Sequence, residues 1–174
     1  GLATTNDPAN LDNKNIIAFT ELAQKNGCEV VMGESEFFEP EEARKIADGF
    51  KDCDLIVVMV KGFTWFGECI NEFTKLGVPC CWAVPEPQRE GVLLFNSMTG
   101  LNLFTSVANS GHEVPVVKWL YGDVKDALFV KRFITTIGAI RCVKAIKGKK
   151  IAIAGGVAEG FVNLEYSKAK VENR

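Results

Sequence analysis

Short β-rich runs alternate with helix-patterned stretches along most of this chain, and that alternation restricts it to architectures built on a parallel sheet. The runs are Leu2 to Thr5, Glu29 to Met32, Leu55 to Val60, Cys80 to Val84 and Val116 to Leu120. Parallel neighbours need a crossover, and right-handed crossovers place helices on both faces of the sheet. Five βα units up to Lys147 therefore predict a flavodoxin-like, three-layer αβα domain with a five-stranded parallel sheet.

The intervening stretches carry their own start and stop signals. Lys14 to Asn26 presents Ile16, Ile17, Phe19, Leu22 and Ala23 on one side, and Gly27 is placed to end that helix with a positive φ. In Glu39-Pro40-Glu41-Glu42-Ala43-Arg44-Lys45, a first-turn proline, early acids and later bases match the helix dipole, which marks a helix start rather than an acidic ligand site. Further helices are expected over Glu68 to Leu76 and over Ser97 to Ser110, with Ser97 as cap and Gly111 as stop. A long helix is expected from Val124 to Ile146, its core side formed by Val124, Leu128, Phe133, Ile134, Ile137, Ile140 and Val143. Gly148 breaks it, and Lys149 to Ala154 reads as a sixth strand leading into Gly155-Gly156. Residues 1–147 are thus expected to form the flavodoxin-like domain, and residues 148–174 the start of a second α/β domain. Both ends look cut, so the chain is expected to be an amino-terminal fragment.

Composition narrows the function classes. Of the 174 residues, 47% are hydrophobic and 24% charged, enough to pack a core. Twenty Lys and Arg against 22 Asp and Glu leave a net charge of −2, so nucleic acid is not an expected partner. No apolar run approaches the roughly 20 residues that cross a bilayer, and no basic-then-apolar leader is visible. A membrane is not an expected partner either. Cys28, Cys53, Cys69, Cys80, Cys81 and Cys142 lack CxxC spacing and read as free thiols in a reducing cytoplasm.

In parallel α/β sheets, ligands bind where strands end and helices begin. The loop Asn6 to Asn10 lacks the hydroxyls and glycine of a flavin phosphate loop, and no G-x-G-x-x-G follows a strand. Lys61 and Gly62 stand where a phosphorylation receiver would have its aspartate. His112 is the only histidine and reads as structural, which with the cysteine spacing leaves no self-contained catalytic zinc site. Ser97 lacks the G-x-S-x-G elbow and reads as a helix cap. The oddest local feature is Lys61-Gly62-Phe63-Thr64-Trp65-Phe66-Gly67, three aromatics in a strand-end loop, which suits core packing, a sugar face or a neighbouring subunit.

Four pieces in order carry a family resemblance: Gly62 to Phe66, Phe95-Asn96-Ser97-Met98-Thr99-Gly100-Leu101-Asn102, Lys118-Trp119-Leu120-Tyr121-Gly122-Asp123, and Lys147 to Val157. In their spacing the chain resembles the amino-terminal region of the L-fucose isomerase and L-arabinose isomerase superfamily, especially its fucose-isomerase-like branch. That resemblance implies an aldose–ketose isomerase in which a divalent metal, usually manganese, supports proton transfer through an enediol. It implies metal ligands beyond Arg174, so the fragment alone is expected to be inactive. It also implies a homo-oligomer, in which this region helps build a neighbour's substrate pocket. Trp65 is the implied contact to the sugar substrate, Phe63 of the same aromatic loop is a further substrate-binding candidate, and Glu159 takes the place of a methionine near the substrate in the fucose enzymes. The alternative reading is a free-standing flavodoxin-like module that binds a sugar or another small polar ligand without chemistry.

Overall fold

A computed structural model describes residues 11–33, 37–63, 67–77, 79–88, 90–113, 115–150, 152, 155, 158–162 and 165–172. The chain divides into two units, Gly1–Thr136 and Ile137–Arg174. In the first, β1 (Val57–Met59), β2 (Cys80–Ala83) and β3 (Lys118–Tyr121) form a parallel sheet in the order β1-β2-β3. Flanking amides extend the ladder: Val60 N donates to Trp82 O at 2.7 Å, Lys118 N to Pro79 O at 2.8 Å and Gly122 N to Ala83 O at 3.1 Å.

The expected five-stranded sheet is thereby corrected to three strands among the described residues, and these are the third, fourth and fifth of the expected runs. Leu2 to Thr5 lies outside the described residues. Glu29 to Met32 is described and pairs with none of the described strands; Val31 and Met32 are 60% and 51% exposed. β-propensity reflects packing on a pleated surface, and the three described strands offer this run none.

Helices cover both faces. Because side chains alternate along a strand, Cys81 and Ala83 point to one side of β2, where they join Val58 and a core that includes residues of α2 (Pro40–Asp48), α3 (Cys69–Thr74) and α4 (Asn96–Asn109). Trp82 points to the other side. There it stacks on Phe19 of α1 (Leu11–Lys25) at 4.7 Å and meets Phe129 of α5 (Ala127–Ile146) at 5.7 Å, while Phe133 lies 4.7 Å from Phe19.

The helix ends follow local chemistry. Gly27, at φ 73°, closes α1 in a Schellman motif: Gly27 N donates to Gln24 O and Cys28 N to Ala23 O. At the start of α2, Glu42 reaches back to accept from the amides of Phe38 and Glu39 at 2.9 and 3.2 Å. In α5 the buried side is the ladder Phe129, Phe133 and Ile137, whereas the expected core residues Leu128, Ile134 and Val143 are exposed. The helix is apolar nearly all round, so the sequence period did not single out its buried face.

One buried charge ties α3 to α2. Glu72 accepts from Lys75 Nζ at 2.7 Å and from Arg44 Nε at 3.3 Å. The Lys75 hydrogen bond, with the charges of Lys75 and Arg44, holds the Glu72 carboxyl below its usual range against the opposing effect of burial. A depressed folded-state pKa contributes stability above the unfolded carboxylate value, and that stability is lost as pH falls through the folded one. Glu72→Gln is therefore expected to lower Tm at neutral pH, with the gap to wild type closing as pH drops below the normal glutamate range. A gap that stays constant down to acid unfolding would show that Glu72 contributes nothing through its charge.

The second unit contains the end of α5, a turn at Gly148 (φ 73°), a further turn in which Phe161 N donates to Ala158 O, and α6 (Lys168–Glu172). Ser167 Oγ accepts the Lys170 amide at 3.3 Å, in the manner of a helix cap. Of the expected sixth strand, Lys149, Lys150 and Ala152 are described and are not in a strand; Ile151, Ile153 and Ala154 lie outside the described residues. Among the described residues no helix is long and apolar enough to cross a membrane.

Candidate functional site

The carboxyl ends of β1 and β2 open into a crevice lined by Asn15, Met59, Val60, Lys61, Val84, Pro85, Glu86 and Pro87. Two strand-end loops make its walls and α1 contributes Asn15, which is only 8% exposed. Both walls are fixed by the first turns of α4. On the β2 side, Ser97 Oγ donates to Val84 O at 2.8 Å, and the Ser97 amide donates to Glu86 Oε2 at 3.3 Å. Glu86, not Ser97, thus supplies the carboxylate that satisfies an amide at the start of α4, and the expected capping role of Ser97 gives way to a bolt between helix and loop.

On the β1 side, Gly100 permits the approach. A methyl group at Gly100 would collide with the Gly62 carbonyl oxygen and come within 2.9 Å of Val60 Cγ1. Beyond Glu86, the Gln88 side chain holds its own loop: Nε2 donates to Glu86 O at 3.1 Å and to Leu94 O at 2.8 Å, and Oε1 accepts from Leu94 N at 3.1 Å. Pro85 and Pro87 remove two backbone donors and fix φ on either side of Glu86.

The crevice has a volume of about 40 Å³. A single water needs about 10–15 Å³ on this measure, so the space takes a few waters, or one polar edge of a larger molecule. Its polar lining combines an ammonium, a carboxylate and a primary amide, which between them donate to and accept from hydroxyl groups. Comparison of the chain with protein-family models, with curated proteins and with solved structures returns no match. The site therefore has to be read from its own chemistry.

Of the residues singled out from sequence, Phe63 follows Lys61 and Gly62 directly and is 47% exposed. Trp65 lies outside the described residues. Glu159 belongs to the second unit, exposed in a turn, and is not among the described residues that line the crevice. His112 is exposed in the turn after Gly111. Asn15 and Glu86 were missed. The available signal for Glu86 was Pro85-Glu86-Pro87 at the end of a buried strand: an acid fixed between two prolines where a ligand loop belongs. Asn15 carried no such signal, because one amide on an amphipathic helix is ordinary.

Among the described residues no three His, Cys, Asp or Glu side chains gather at a metal-binding spacing.

The thiols are also part of the electrostatic picture. All six cysteines are free. Burial pushes Cys80 up to about 12 and, with the Glu68 charge adding to it, Cys69 up to about 11; burial raises Cys81 as well. Thiolate is the reactive form. Alkylation of the native protein with iodoacetamide at pH 8 is therefore expected to modify the exposed Cys53 and Cys142 and to spare Cys69, Cys80 and Cys81 until the protein is unfolded. Equal labelling of all six in the native state, read by peptide mass, would contradict this burial pattern.

Proposed function

We propose that this chain is the substrate-pocket-building, amino-terminal part of a cytoplasmic fucose-isomerase-like aldose–ketose isomerase, and that the crevice between Asn15, Lys61 and Glu86 receives one hydroxyl-bearing edge of the sugar. The supporting observation is the crevice itself, a mostly apolar recess with three polar side chains at the carboxyl ends of adjacent parallel strands, where such sheets place their ligands. In this reading Lys61 donates to a sugar oxygen, Asn15 both donates and accepts, and Glu86 accepts from a hydroxyl. Phe63, exposed beside Lys61, offers an apolar surface to the sugar's C–H face. The metal ligands, the proton-transfer groups and the partner protomer of the oligomer would come from outside this chain.

A second reading, a sugar-binding module without chemistry, is favoured by one feature of the lining. Among the described residues that line it, Glu86 is the only carboxylate, and it already accepts the Ser97 amide, so these residues hold no acid–base pair.

Titration of the chain with L-fucose, L-arabinose and their ketose isomers, followed by amide chemical shifts, tests both readings. Saturable shifts centred on residues 59–62 and 84–88 are expected, at a Kd of about 1 mM, equivalent to about −4 kcal/mol. Lys61→Ala should weaken binding with the fold intact. Shifts elsewhere, or none with any of the sugars, would remove sugar from the assignment. Isomerase turnover by the longer parent protein separates the first reading from the second.

A further inference from the structure

We propose that the segment from Arg141 to Lys150 is a docking surface for the acidic first unit of a second copy of this chain. The net charge of −2 conceals a strong separation. Residues 1–136 hold 12 Lys and Arg against 19 Asp and Glu, a charge of −7; residues 137–174 hold 8 against 3, a charge of +5. From Ala127 to Ala158 the sequence contains no acid at all, while Arg141, Lys144, Lys147, Lys149 and Lys150 follow one another within ten residues.

Every residue from 141 to 150 is exposed, and the bases are interleaved with apolar groups: Val143 is 64% and Ile146 60% exposed. A face that is both basic and apolar binds an acidic surface that also offers apolar contact. The occupant follows from charge complementarity. A chain whose larger unit carries −7 is repelled by a phosphate backbone or an anionic bilayer, whereas that same unit in a second copy attracts the +5 segment. Its matching face is the region of α2 and the turn after it, where Glu39, Asp48, Asp52 and Asp54 are exposed and Phe38 stands exposed at the helix start.

One patch meeting a different patch makes a head-to-tail contact, which closes into a ring or propagates. The inference does not depend on the isomerase reading, since it uses none of the crevice residues.

Sedimentation velocity of the 174-residue chain tests it at about 0.05 M and about 0.5 M NaCl, which bracket the change in screening length from roughly 14 Å to roughly 4 Å. Self-association is expected at low salt, weakened more than about tenfold at high salt. The triple variant Lys147→Glu, Lys149→Glu, Lys150→Glu should remain monomeric in both buffers, as should Asp48→Lys, Asp52→Lys, Asp54→Lys; all six positions are exposed, and circular dichroism checks that both fold. Mixing the two variants should restore association, because each retains the patch that the other has lost. A wild-type chain that stays monomeric at low salt overturns the proposal, as does association indifferent to salt or to the triple reversals. Capture of the monomeric chain by phosphatidylserine vesicles or single-stranded DNA, abolished by the lysine reversals, would assign the segment to those partners instead and equally overturn it.

Discussion

Replacing Trp82 by alanine is expected to cost about 3–5 kcal/mol, the range for a large aromatic lost from a packed interior. Trp82 is 2% exposed, lies in the central strand and gathers Phe19 and Phe129 around its ring. Domains of this size are stable by only about 5–15 kcal/mol, so the variant should unfold at much lower urea or fail to fold. Trp82→Phe keeps most of the apolar contact but removes the indole donor, which bonds the buried Gly122 carbonyl oxygen at 3.0 Å. Leaving that acceptor unpaired should cost a further separable amount, about 1–3 kcal/mol. The pair of variants apportions packing and hydrogen bonding, with urea midpoints as the readout. An alanine variant within about 1 kcal/mol of wild type would mean that the aromatic cluster is not a cooperative core.

Gly100→Ala is the second large effect, and its sign is the informative part. In an exposed helix interior the change from glycine to alanine gains about 1 kcal/mol. At Gly100 the new methyl meets the Gly62 carbonyl oxygen, and backbone cannot swing aside as a flexible side chain does. Overpacking of this kind costs about 1–3 kcal/mol and sometimes more. The expected net result is a loss of about 2 kcal/mol, hence a fall in Tm of several degrees, and a greater loss for Gly100→Val. Because residues 60–62 must retreat, the β1 wall of the crevice moves with them, so affinity for a crevice ligand should fall alongside stability. A Gly100→Ala protein more stable than wild type would show that the loop after β1 does not press on α4.

How much could be read from the sequence depended on whether the deciding interaction was local. The Gly27 stop and the Pro40 start are set within a few residues, by a positive φ and by a proline that needs no amide donor, and both stand where the pattern put them. The runs containing β1, β2 and β3 were legible because each is bounded by turn residues and β-rich in composition, β2 being buried throughout. Glu29 to Met32 had a similar composition but no pairing partner among the described strands, and partnership is a tertiary fact that a single run does not carry. The buried side of α5 was legible only in part, Phe133 and Ile137 being buried as expected and Leu128, Ile134 and Val143 exposed, for the opposite reason: with apolar residues on most sides, several stripes fit the period and only contact selects one. For the crevice, the position at the strand ends followed from topology, and Lys61 lay in a loop already under suspicion. Glu86 escaped because its role depends on the start of a helix eleven residues away.

The two halves of α5 also differ in what backs their hydrogen bonds. Its early turns are anchored by Phe129 and Phe133 in the aromatic cluster, while every residue from 141 onward is exposed. Near the change, Thr135 and Thr136 each turn a hydroxyl back on the carbonyl four residues earlier, at 2.8 Å, a bond that loosens a helix from within. Deuterium uptake should therefore fall into two regimes along one continuous helix. Amides around Phe133 should exchange only when the whole unit opens, and those around Lys144 by local fraying, orders of magnitude sooner.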